Sequence, residues 1–197
     1  MKKLSFLAAA IFAVAALVSF NNVSAKEGLA IGATMENFKL MDASGTEKSF
    51  NDLKGKNGAI LVFLSVQCPV VKAYDARIVK FAEEYAAKGI NVIGINSNST
   101  ESAERVKVHA AENYKFPVLI DKNNVIADRL GANVTPEIFY LNEKNVLIYH
   151  GAIDNNKSSD SVTSNFLRDA VESNLSGKTV AKTTANAFGC SIKRVTE

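Results

Sequence analysis

Ala59-Ile60-Leu61-Val62-Phe63-Leu64-Ser65-Val66-Gln67-Cys68-Pro69-Val70-Val71 joins an unbroken apolar run to a cysteine–proline pair. Six consecutive apolar residues after Lys56-Asn57-Gly58 predict a strand buried on both faces, as in a parallel sheet. Further on, Val71, Tyr74, Ile78, Phe81 and Tyr85 recur at steps of three and four, which predicts a helix over Val71–Lys88 with one apolar stripe. Gly89 is placed to end it in the left-handed conformation. Proline suits the first helical position, because its missing N–H would have no helical partner there. Cys68 is therefore at or beside the N-cap, where free N–H groups and the helix dipole favour a negative sulfur. Thiolate is the nucleophilic form of cysteine, and this setting lowers the thiol pKa. The plainer alternative is a small buried hydrophobe. A strand-to-helix switch point is where open α/β sheets place their sites, which favours chemistry at Cys68.

The flanking sequence continues the alternation. Upstream, Phe38–Met41 and Thr46–Phe50 flank Asp42-Ala43-Ser44-Gly45 and predict a β-hairpin. Downstream, Ile90–Ser97 reads as a strand, Glu101–Tyr114 as a weaker helix with Val106 and Ala110 inward, and Phe116–Ile120 as a short strand. A short helix over Val125–Leu130 stops at Gly131. Glu137–Leu141 and Val146–Tyr149, joined by Asn142–Asn145, form a second hairpin. A last helix runs from about Thr163 to Ser176, with Phe166, Leu167, Ala170, Val171 and Leu175 inward and Gly177 after it. Strands alternating with helices imply one central sheet covered on both faces, made mixed by the second hairpin.

The chain begins with an address. Lys2 and Lys3 precede an uncharged run from Leu4 to Phe20, and Val23-Ser24-Ala25 follows. Basic, apolar and small-residue regions in that order predict a signal peptide over residues 1–25, and hence an exported, periplasmic or secreted chain with no membrane attachment after cleavage. A membrane anchor is the alternative, but the run is at the short end of what spans a bilayer. The formal charge of +3 owes two units to Lys2 and Lys3, so basicity gives no reason to expect a nucleic-acid partner. The mature chain is then one domain over residues 28–177 followed by a tail over 178–197. Outside the cytoplasm its two cysteines live where disulfides persist.

Cys190, in Phe188-Gly189-Cys190-Ser191-Ile192, is the candidate resolving partner of Cys68, since an even cysteine count in an exported chain favours a bridge. The alternative is a buried, unreactive thiol packed beside Phe188 and Ile192. His109 and His150 show no ligand spacing, and two cysteines cannot build a four-cysteine site, so neither a metal nor another cofactor is expected. Asp154 reads either as a proton carrier near Cys68 or as a turn residue, the turn being favoured. Pro136 enters a strand, which suits a cis bond with a purpose or a trans proline closing a loop.

The cysteine–proline at the helix start, Phe116-Pro117 and Thr135-Pro136 together resemble the thioredoxin fold, more narrowly the AhpC/TSA redoxin group. The stretch from Gln67 to Arg77 and Gly189-Cys190-Ser191-Ile192-Lys193 resemble its peroxiredoxin-like branch. The resemblance covers roughly Gly28 to Lys193. It implies an α/β thioredoxin-like fold with a mixed sheet flanked by helices and an N-terminal hairpin extension. It also implies a cis Thr135–Pro136 bond facing Cys68, with the Thr135 backbone free to pair with a bound peptide. Catalytic positions carry over to Cys68, Pro69 and Ser65, and substrate binding to Thr135 and Pro136. Val71 stands where thioredoxins have a second cysteine, and Leu61 where typical peroxiredoxins have a proline. Arg77 and Arg129 are the candidates for the family's active-site arginine. The expected function is thiol-dependent oxidoreduction through Cys68 on a protein disulfide or a peroxide, with an external thiol as a further partner. The competing expectation is a non-catalytic module that holds an extended peptide in the same groove.

Overall fold

The computed structural model describes residues 28–195, so the expected leader over residues 1–25 lies outside the described residues. Strands β1 (Lys39–Asp42) and β2 (Glu47–Ser49) form the first hairpin. The Asp42 carboxylate closes its turn by accepting the Ser44 and Thr46 N–H groups at 2.8 and 2.9 Å. The hairpin's second arm ends sooner than its sequence suggests. Phe50 leaves it to start a one-turn helix, α1 (Phe50–Leu53), where its fully buried ring stacks on Phe38 at 5.2 Å.

Strand β3 (Gly58–Leu64) is buried at all seven positions. It pairs parallel with β4 (Asn91–Asn96), which pairs parallel with β5 (Val118–Ile120). Between them lie α2 (Pro69–Ala86) and α3 (Ala103–Asn113), and α4 (Val125–Leu130) follows β5. A two-residue strand, β6 (Val134–Thr135), precedes the hairpin of β7 (Glu137–Asn142) and β8 (Leu147–Gly151), and β7 pairs antiparallel with β3. Helix α5 (Phe166–Leu175) and a two-residue strand, β9 (Cys190–Ser191), complete the chain. The seven-stranded sheet has the order β2-β1-β5-β4-β3-β7-β8, mixed as expected.

Period-two alternation along β3 divides the core. Ile60, Val62 and Leu64 face Val71, Tyr74, Ile78, Phe81 and Tyr85 of α2 and Leu167 and Val171 of α5. Ala59, Leu61 and Phe63 face the opposite layer, with Phe50 and with Ile126 and Leu130 of α4. Each large side chain so buried contributes roughly 1.5–3 kcal/mol of apolar transfer energy. Gly89, Gly131 and Gly177 all have φ near +70°, as their places after helices require.

The tail over residues 178–195 is a docked strap. Thr183 and Ala185 bond the backbone of His150, β9 pairs antiparallel with β6, and Ile192, 6% exposed, enters the core layer of α4. Beyond it the Lys193 N–H donates to the Asn98 side chain, and the Val195 N–H to that of Asn124.

Candidate active site

Cys68 is the N-cap of α2, with extended backbone (φ −82°, ψ 114°), and Pro69 takes the first helical position. The cysteine is 3% exposed. The Thr135–Pro136 bond is cis and faces it, and the Cys68 thiol donates to the Thr135 carbonyl oxygen at 3.2 Å. The expected free backbone at Thr135 is not free. Thr135 is paired with Cys190 and Val134 with Ser191, so the strap holds the edge that a bound peptide would use. The resemblance implies an open edge for a peptide, whereas here the chain supplies its own strand.

This pairing brings the two cysteines together. Both are free thiols, and Cys190 stands opposite Thr135, whose carbonyl accepts the Cys68 thiol. Burial pushes the Cys68 pKa up, but donors overcome it: the Cys190 thiol, the Val71 N–H, the Thr135 hydroxyl and the Cys190 N–H. The net result is a Cys68 thiol held below its ordinary value. Cys190 moves the other way, because its proton is held by Cys68, with burial and the charge of Cys68 adding to the effect. The geometry at Val71 is loose. Cys68 makes no full side-chain cap bond, yet the Val71 N–H is near enough to favour a charged sulfur. Alkylation of Cys68 with iodoacetamide across pH is therefore expected to show a midpoint below the unperturbed value of about 8.5. A midpoint at or above it would contradict this arrangement.

The link from β3 to Cys68 is pinned by Glu101, a residue without a sequence motif. Its buried carboxylate accepts the Ser65 hydroxyl at 2.6 Å, the Val66 and Gln67 N–H groups at 3.0 Å each, and the Asn96 amide at 2.5 Å. Burial opposes its charge, but these four donors hold the carboxyl below the usual range. Ser65 is therefore committed to Glu101 through its hydroxyl, while its carbonyl accepts the Cys68 N–H at 3.4 Å. Glu137 does the corresponding work for the opposing turn. It accepts the Asn133 and Val134 N–H groups at 2.7 and 3.0 Å and pairs with His150 at 2.7 Å.

Asp154 is 3% exposed and is bound by the Tyr74 hydroxyl, the Arg77 guanidinium and the Asn156 N–H. Arg77 also donates to the carbonyls of Asn156 and Lys157, so this cluster anchors the 154–157 turn to α2. Neither Arg77 nor Arg129 is among the hydrogen-bond partners of the Cys68 sulfur. His109 meets Asn113 and the edge of Tyr114. A cavity of about 370 Å3 beside Val79, Ala82, Phe116 and Pro117 includes none of the residues around Cys68.

Comparison with known proteins resolves the family. The sequence profile of the AhpC/TSA family matches residues 31–150. The chain belongs to the AhpC/TSA family. Over 130 residues this AhpC/TSA protein is 29% identical to a thiol-disulfide oxidoreductase ResA of Halalkalibacterium halodurans, covering 66% of this chain and 73% of that one. A hypothetical protein from Sinorhizobium meliloti 1021 has a similar solved structure, with TM-score 0.79, 32% identity and coverage of 87% of this chain and 98% of that one. The thioredoxin domain of a Bacteroides vulgatus thiol-disulfide oxidoreductase matches at TM-score 0.55 and 19% identity, covering 62% of this chain and 89% of that one. That likeness speaks for the fold alone: the AhpC/TSA chain has the thioredoxin fold.

Proposed function

We propose that this AhpC/TSA chain is a two-cysteine thiol oxidoreductase in which Cys68 attacks and Cys190 resolves. The observation that carries it is the pairing of Cys190 with Thr135, the residue whose carbonyl accepts the buried Cys68 thiol at 3.2 Å. With a disulfide, the Cys68 thiolate forms a new S–S bond to one sulfur and expels the other as a thiolate. Cys190 then gives up its proton, attacks the Cys68 sulfur and releases the second half of the substrate as a thiol. The Cys68–Cys190 disulfide holds the two electrons' worth of oxidation. With a hydroperoxide, Cys68 takes one oxygen to become a sulfenic acid as the O–O bond breaks and the other oxygen leaves as an alcohol or water; Cys190 then condenses with the sulfenic acid to the same disulfide, releasing water. An external thiol reductant reopens the bridge and completes the cycle. The relatives named thiol-disulfide oxidoreductase support the disulfide branch.

The apolar leader with Val23-Ser24-Ala25 supports work outside the cytoplasm, where thiol exchange has disulfides to act on. The competing role as a peptide-holding module needs the Thr135 edge, which the strap occupies. Cys190→Ser is the test of the division of labour. The variant is expected to attack a small disulfide at a rate close to the parent's and then stop as a mixed disulfide on Cys68, visible by intact mass. Release of both substrate thiols by Cys190→Ser, without added reductant, would contradict the role of Cys190.

A further inference from the structure

We infer that the strap over residues 178–195 makes Cys68 selective for small oxidants, such as hydroperoxides and low-molecular-weight disulfides, against the disulfides of folded proteins. This deepens the oxidoreductase reading above and rests on it. A protein disulfide brings its sulfur on a length of backbone, and that backbone needs an edge to lie along. The edge at Val134–Thr135 is taken by Ser191 and Cys190. With the strap in place Cys68 is 3% exposed. A small oxidant needs no backbone pairing and reaches the sulfur through small local openings, whereas a protein partner requires the strap to leave.

The strap is fitted along its whole length, which makes its departure costly. Phe188 meets the ring of Tyr74 edge-on at 6.0 Å. Gly189 passes so close that a Cβ there would land on the Thr135 carbonyl, and a Cβ at Gly151 would meet the Ala185 carbonyl. The Ile192 N–H donates to the Asn133 carbonyl at 2.9 Å and its side chain is buried. Arg194 then clasps Asp128 and the Ala132 carbonyl. Phe188, Gly189 and Ile192 thus act as specificity residues without joining the chemistry. The strap leaves the reaction unchanged: Cys68 attacks one sulfur of a small disulfide, or one oxygen of a hydroperoxide, and displaces the other, and Cys190 closes the bridge.

The test compares rates of Cys68 oxidation by hydrogen peroxide, hydroxyethyl disulfide and insulin, in the parent chain, in Gly189→Val and, independently, in Ile192→Asp. The parent is expected to react with hydroxyethyl disulfide at least about a hundredfold faster than with insulin, since only global or sub-global opening admits the larger partner. Each variant is expected to narrow that ratio by at least about tenfold, because its strap is displaced by a clash or by a buried charge. A parent that reacts equally with both disulfides, or an unchanged ratio in both variants, overturns size selection while leaving the oxidoreductase reading standing. Failure of Cys68 to react with any of the three oxidants in any form overturns that reading and this inference with it.

Discussion

Replacing Cys68 with serine is expected to abolish turnover with disulfides and peroxides alike, a loss of about a thousandfold or more. A serine hydroxyl stays protonated at neutral pH, and no environment described around position 68 supplies a base to activate it. The fold should survive, because serine has nearly the volume of cysteine and its hydroxyl can donate to the same Thr135 carbonyl. Stability should change by no more than about 1 kcal/mol. Turnover assays beside thermal unfolding check both halves. Residual activity within tenfold of the parent would place the chemistry elsewhere.

Glu101→Ala is expected to cost about 3 kcal/mol or more of stability, the largest single effect foreseen away from the cysteines. The substitution strips acceptors from the Ser65 hydroxyl, two backbone N–H groups and the Asn96 amide, all at a buried site. It also frees the link that delivers Cys68 to the helix start, so iodoacetamide should alkylate Cys68 with a shifted pH midpoint. The sign of the pH dependence follows from the depressed Glu101 pKa. Its stabilisation is fully present above the unfolded-state value of about 4.3 and is lost as pH falls through the lower folded-state value. The stability gap between parent and Glu101→Gln should therefore narrow in acid, measured by urea unfolding from neutral pH down to about pH 3. A gap that is constant across that range would show that the Glu101 charge contributes nothing.

Much of this arrangement is legible in the residues because its signals are local. The run from Ala59 to Leu64 and the stripe from Val71 to Tyr85 state a buried strand and an amphipathic helix by periodicity alone, and Cys68-Pro69 marks the junction between them. The resemblance then supplies the relation of Thr135–Pro136 to Cys68, which no local pattern contains. Glu101 stays hidden because its meaning is non-local. It sits in a polar stretch, and its partners at 65–67 join it only through the parallel pairing of β3 with β4. The strap is hidden for another reason. Its pairing with β6 spans two residues, too short for any alternation to show, and its backbone bonds to His150 leave no mark on side-chain choice. One local signal is present and carries the packed alternative for Cys190: Gly189 and Cys190 lie between the apolar Phe188 and Ile192 in an otherwise polar tail. Asp154 is the turn residue its sequence favours, accepting the Asn156 N–H, but its long-range partners are not legible. A lone carboxylate near a strand end suggests proton transfer or a turn, and folding gives it Arg77 and Tyr74 across 77 and 80 residues of chain.

The central claim is that Cys68 and Cys190 work as one redox pair within a single chain. Non-reducing peptide mapping after treatment with a stoichiometric amount of a small disulfide tests it most directly. The expected product is a monomer with one Cys68–Cys190 bridge, reopened by a dithiol. Recovery of both thiols free, or of Cys68 bound only to a second chain, would contradict the pairing and leave Cys190 as a structural residue of the strap.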